Sequence, residues 1–275
     1  MLEKARKEKI LILAKTYPSP SAQYVETSCV AGISSDGEMR RLFPVPFRMI
    51  ERGQQFSKWQ WIEVRIEKAN KDHRPESHRL YVDTISCGER IEPRNEWAAR
   101  RAWLERVPTF TNFDELDAWR STTGRSLGLL KPSNVRLEIR PARSQAWSPE
   151  ELAKLMRPDQ GSLFDEAEAR DQIKVLQKIP FDFYYVYTVR GKGGDVEYCH
   201  KIVDWEAGAL YLNCRASHGP DWEQPFRARL ESNLVDKDLM FLMGNQHRFQ
   251  NQWLLISLIY PPKRSLTQTL QGSLF

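Results

Sequence analysis

Two sets of side chains in this sequence suggest chemistry at a metal ion. Asp182, Glu197, Lys201 and Asp204 come nearest to the carboxylates and lysine that a nuclease arranges around a divalent cation such as Mg2+. Their spacing suits that chemistry poorly, since Glu197 and Lys201 are four residues apart, so on a strand they share a face but lie ~13 Å apart along it. The second set is Cys199, His200, Cys214 and His218. Cys214 and His218 are one helical turn apart, as a zinc-binding pair would be, whereas the adjacent Cys199 and His200 point to opposite faces of a strand. At most three ligands, Cys199, Cys214 and His218, converge, and zinc held by them would staple a hairpin to a helix rather than catalyse. Otherwise no cofactor is expected, for the sequence contains no Walker loop, GxGxxG, HExxH or GxSxG element. Two further loops gather polar groups: Asp72 to Arg79, with acid, imidazole and guanidinium together, and His247-Arg248. Each reads either as a ligand-facing loop or as a solvated connection.

Cations interleaved with aromatic rings imply a different role, the holding of nucleic acid. The 41 Lys+Arg against 36 Asp+Glu leave a net charge of +5, and an excess of that sign favours polyanions because phosphate contacts dominate nucleic-acid affinity. Arg40, Arg41, Arg48, Arg74, Arg79 and Arg101 are the expected phosphate contacts, and Trp59 and Trp61 the expected base-stacking platforms. The competing reading puts both tryptophans in the core and the charges on a mixed-sign surface. Acids and bases are interspersed, as in Glu63 to Lys68, and large aromatic side chains are mostly buried. The expected function is nucleic-acid binding, of DNA before RNA, in replication, repair or defence against mobile DNA. A metal-dependent nuclease and an adaptor without nucleic-acid contact are the alternatives.

These residues need elements to position them. Short apolar or alternating runs at Ile10–Leu13, Thr27–Ile33, Arg40–Phe43, Trp59–Lys68 and Arg79–Ser86 predict closely spaced strands, with a hairpin turn at Ser34–Glu38. Helices follow at Arg94–Arg106 and Phe113–Trp119, then a strand at Val135–Arg140 and a helix from Pro149 capped by Ser148. Strands at Phe181–Val189 and Val196–Val203, two helices begun by Asp204 and Pro220, and strands at Leu239–Met243 and Trp253–Tyr260 complete a ββααββ order. The expectation is an α+β chain. It has a β-rich lobe with two helices over 1–141, a helix and linker over 142–178, a ββααββ lobe over 179–262 and a flexible tail over 263–275. Four scattered cysteines without CxxC spacing and no signal-like N-terminus imply reduced thiols in the cytoplasm. The apolar runs are strand-length, far short of the ~20 residues that span a bilayer, so membrane insertion is excluded.

The segment 29–46 carries Ala-Gly, then Asp-Gly, then paired arginines and proline. It resembles the opening hairpin of an uncharacterised bacterial dual OB-like domain family, over about the first third of the chain. The resemblance implies a small barrel whose face stacks bases on aromatic rings and takes phosphates on arginine.

A second resemblance rests on a repeat. Gln160-Gly161-Ser162-Leu163-Phe164 recurs as Gln271-Gly272-Ser273-Leu274-Phe275. Both copies are similar to the bacterial sliding-clamp-binding motif, Gln-x-x-Leu-Phe, in which a Leu-Phe pair fills a hydrophobic pocket and Gln contacts its edge. The resemblance implies a sliding clamp as partner through Gln160, Leu163, Phe164, Gln271, Leu274 and Phe275, and two copies would raise apparent affinity for a ring with two pockets. The first copy also reads as a helix start, with Ser162 as its cap.

Overall fold

A computed structural model describes residues 5–156 and 175–264. Both pentapeptide copies lie outside the described residues. Strands β1 (Arg6–Lys15), β3 (Val25–Ser34), β4 (Met39–Val45), β5 (Gln60–Lys68) and β6 (Ser77–Leu80) form a closed barrel. β1 pairs antiparallel with both β3 and β5, β3 with β4, and β5 with β6, while β4 runs parallel to β6 and completes the circuit. This is the five-stranded order of an OB-like barrel. Two short strands extend it at its edges, β2 (Ser19–Ser21) against β3 and β7 (Ser86–Arg90) against β5.

The run Ile10–Ala14 lacks alternation because β1 is covered on both faces. Ile10 and Ile12 point into the barrel with Val30, Leu42, Ile62, Val64 and Ile66; Leu11 and Leu13 point outward into a second core. The Ser34–Glu38 turn forms as expected, with Gly37 at φ 92 and its N–H donating to Ser34 O at 2.9 Å. The expected strand Arg79–Ser86 is interrupted. Thr84 Oγ1 accepts from Arg65 N–H and donates to Tyr81 O, turning the chain between β6 and β7.

Beyond the barrel come α1 (Ala98–Leu104), β8 (Thr109–Phe110), α2 (Phe113–Thr123), β9 (Leu127–Leu130), β10 (Ser133–Pro141) and α3 (Pro149–Leu155). Then follow β11 (Phe181–Gly191), β12 (Gly194–Lys201), α4 (Trp205–His218), α5 (Glu223–Leu230), β13 (Met240–Asn245) and β14 (Trp253–Ile259). The α+β class and the ββααββ order after residue 180 are therefore present. The two hairpins of that order, however, lie in different sheets: β10-β11-β12 and β14-β13-β9-β8. Because β9 pairs with β13 and β10 with β11, residues 109–141 are joined by strand pairing to the C-terminal strands, whereas the sequence grouped them with the barrel. The helix expected at Arg94–Arg106 starts only at Ala98. Asn95, Glu96 and Trp97 have φ of 49, 50 and 65, a left-handed turn that lays the Trp97 ring against Trp59 and Tyr260. Tertiary packing here overrides helix propensity.

The sheet β14-β13-β9 is the middle layer. Met240 and Leu242 of β13, Ile256 and Ile259 of β14, and Leu127 and Leu129 of β9 pack on the outside of the barrel. Phe241, Met243, Leu255, Leu258 and Leu130 point the other way, into a core with Phe183, Tyr185, Tyr211 and Phe226. Among the described residues no helix is long and apolar enough to cross a membrane.

Candidate functional site

An OB barrel generally offers its second and third strands to a ligand, here β3 and β4. That face carries Ala31, Ile33 and Met39 and is covered by the middle sheet. The arginines expected there are engaged inside the protein. Arg41 is 5% exposed, and its Nη2 donates to Ser126 Oγ at 2.9 Å, while Ser126 N–H and Oγ both donate to Glu76 Oε1. Arg40 Nε donates to Glu8 at 2.7 Å and Arg48 Nε to Glu26 at 2.8 Å. Arg74, also 5% exposed, clamps Asp72 and reaches Asn245. Arg101 pairs with Asp238 at 3.1 Å and donates to Pro262 O. Trp59 and Trp61 are buried, each edge-on to a second tryptophan, Trp97 and Trp103. Of the expected contacts Arg79 is the most open to solvent, 3.6 Å from Glu67. The expectation of an arginine and tryptophan face on the barrel is thus corrected: interspersed carboxylates neutralise the cations, and the middle sheet takes the rings.

The expected nuclease set is dispersed. Asp182 pairs with Lys201 at 2.6 Å and Glu197 faces Arg136 at 3.8 Å, both on the outer face of β10-β11-β12. Asp204 lies elsewhere, buried at the N-cap of α4, where it accepts from Glu206 N–H and Ser257 Oγ beside Lys58. Burial pushes its carboxyl up, with Lys58 opposing. The same burial would lower Lys58, but Asp204 and Glu206 outweigh it and raise the amine. The zinc set is also dispersed. Cys199 is exposed on the outer face of β12, and Cys214 is buried in the core beneath α4. His218 ends that helix in solvent. His200 faces inward, bonded to Tyr187 Oη at 3.0 Å and stacked on Phe113; burial pulls its pKa down to about 4.

The fold does unite the two polar loops that the sequence singled out. Residues 69–76, between β5 and β6, meet residues 246–252, between β13 and β14. Arg74 Nη1 joins them through Asn245 O at 2.9 Å and Asn245 Oδ1 at 3.1 Å.

It also builds a cleft of about 660 Å3 that sequence reasoning missed, lined by the β9–β10 turn, residues 230–239 and residues 263–264. Lys131, Lys237, Lys263 and Arg264 line it beside Val135, Leu234, Val235 and Leu239. Its carboxylates are occupied by the protein: Glu231 accepts from Leu137 N–H at 2.9 Å and approaches Arg227 at 3.5 Å, and Asp238 holds Arg101. Arg264 lies 3.1 Å from Glu105. No local pattern could have marked this cleft, since its cations come from three distant segments. Apolar side chains beside cations suit a ligand with both anionic groups and flat or aliphatic surface.

No curated protein matches the chain. A solved structure of a replication protein A heterotrimer bound to ssDNA aligns over 99% of this chain and 69% of that one, at 8% identity and a TM-score of 0.29. Residues 6–106, the barrel and α1, match a domain of unknown function (DUF8758). Residues 109–275 match a second one (DUF8757), and since that match takes in more than half of the sequence, the chain belongs to the DUF8757 family.

Proposed function

We propose that the protein binds nucleic acid through the cleft beside the β9–β10 turn, DNA being the preferred polymer, and that it serves DNA replication, repair or defence against mobile DNA. The observation that carries the reading is the cleft's charge: Lys131, Lys237 and Lys263 line it, with Arg264 beside Glu105, while Glu231 and Asp238 are turned to internal partners. The cations would take phosphates, and Val135, Leu234, Val235 and Leu239 would take sugar and base surface. The net charge of +5 agrees in sign. The test is fluorescence anisotropy with labelled DNA and RNA oligonucleotides, single and double stranded, across a salt series. Lys131→Glu with Lys237→Glu should weaken binding at low salt at least tenfold and reduce the slope of log affinity against log salt by about 2, one for each phosphate that the two lysines neutralise. An unchanged slope rejects the cleft.

A second reading rests on the recurrence of Gln-Gly-Ser-Leu-Phe at 160–164 and 271–275. We propose that these peptides dock on a sliding clamp. Capture of the intact chain by an immobilised bacterial clamp should be lost when Leu163, Phe164, Leu274 and Phe275 are all changed to Ala, and capture that survives all four changes refutes it.

A further inference from the structure

The loop after β5 and the hairpin after β13 come from distant parts of the sequence and meet at the rim of the barrel. Asp72, His73 and His247 each place a ligating atom in the gap between them, all within 4.8 Å of one another. His247 Nδ1 is 3.3 Å from Asp72 Oδ1, the two imidazole centroids are 5.6 Å apart, and the Gln250 amide lies against His73 Nε2.

The layer behind these groups is built rather than incidental. Arg74 Nε and Nη2 hold the Asp72 carboxylate at 2.9 and 2.6 Å, and Nη1 of the same guanidinium holds the opposite loop through Asn245. Asn245 Nδ2 in turn donates to Gln250 O at 2.9 Å. Lys68 Nζ draws in the carbonyls of Asp72, Arg74 and Ser77 at 2.9, 2.7 and 3.1 Å. Burial would raise the Asp72 carboxyl, but the Arg74 bonds and charge outweigh it and hold it well below the usual carboxylate range. Asp72 Oδ1 is turned toward His247, 3.3 Å from its Nδ1. Arg74 Nε and N–H donate to Oδ1 itself and Nη2 to Oδ2, and hydrogen bonds of this kind to a ligating carboxylate fix and tune it.

We propose that Asp72, His73 and His247 form a site for a divalent transition-metal ion of the zinc, cobalt or nickel class, with its remaining coordination positions open to water. Two imidazoles and one carboxylate suit those ions, whereas Mg2+ and Ca2+ take oxygen ligands almost alone. The guanidinium behind Asp72 opposes an incoming cation, so affinity should fall below that of a closed structural zinc site. The inference is independent of the cationic cleft. Its rival is a plain ion pair, in which a protonated His247 faces Asp72 and no metal enters.

The two are separated by titrating cobalt(II) into the full chain and following its visible absorption, with zinc as competitor. The expected result is one saturable equivalent, without the charge-transfer band of a thiolate ligand, at least tenfold weaker in His73→Ala and in His247→Ala and lost in the double variant. Both side chains are exposed, so the metal-free variants should melt where the parent does, and His218→Ala should bind as the parent does. Cobalt uptake unaltered in the double variant, a thiolate spectrum, or no saturable uptake by the parent overturns the site.

Discussion

His200 is an imidazole held where a charge is unwelcome. It faces the core from β12, with Phe113 stacked on one side and the Tyr187 hydroxyl at 3.0 Å. Burial brings its pKa from 6.5 to about 4. A base with a depressed folded-state pKa costs stability where the unfolded chain takes up a proton that the folded chain refuses. Above pH 6.5 both states are neutral at this ring and nothing is lost; as pH falls from 6.5 to about 4 the unfolded state gains, by about 3 kcal/mol at the low end. His78, lowered by burial among Arg40 and Arg6, acts in the same direction. Urea midpoints should therefore drop between pH 7 and pH 5, and His200→Asn should flatten part of that drop; an identical pH slope in the variant would show that this ring is not responsible. The same residue marks the reach of sequence patterns. His200 was legible as a strand residue facing away from Cys199, but the ring that receives it belongs to α2, far away in sequence. Arg41 is the sharper case. It reads as a surface cation because Ser126, which accepts from it, and Glu76, to which Ser126 relays the bond, are 85 and 35 residues away.

At the scale of elements, local signals worked where the causes are local. Ser148 caps α3 with Glu151 returning the bond, and the Asp-Gly turn closes β3 onto β4. The alternation of Val64 and Ile66 with polar residues marks β5, although the two tryptophans of that run lie on its other face, in an interlayer core and not on a ligand face. What did not show was which strand pairs with which, because β9 and β13 are joined over more than a hundred residues. Gly208 is a case where contact between elements dictates a residue within one of them. It lies in the first turn of α4, buried, where an added Cβ would run into the ring of Tyr17 and come within 3.0 Å of Ile179. Alanine is the better helix former by about 1 kcal/mol, so propensity alone predicts that Gly208→Ala stabilises. Overpacking against an aromatic ring typically costs about 1–3 kcal/mol, and the ring here is tied through its hydroxyl to Gln177 O at 2.8 Å. The net expectation is destabilisation, read as a lower melting temperature with an unchanged m-value. A higher melting temperature would mean that Tyr17 moves aside freely.

For the whole molecule, the middle sheet decides what the barrel can do. Leu11, Leu13, Ala31, Ile33 and Met39 on the barrel's outer face are buried only because Met240, Leu242, Ile256 and Ile259 cover them. The two matched regions, 6–106 and 109–275, therefore share one core, and neither half can bury its side of that core alone. Contiguous apolar patches left open mark a binding or aggregation surface. Buried polar links cross the same boundary: Arg41 of β4 to Ser126, and Lys58 to Asp204. A boundary that leaves such charges uncompensated is costly to open. The intact chain should then unfold in one cooperative transition, with calorimetric and van't Hoff enthalpies agreeing. A fragment of residues 1–108 should bind a hydrophobic dye and melt without a sharp transition. If the fragment instead melts cooperatively and leaves the dye unbound, the barrel is self-sufficient, its β3–β4 face can be uncovered at modest cost, and oligonucleotide binding should be sought on that face of the fragment as well as in the cleft.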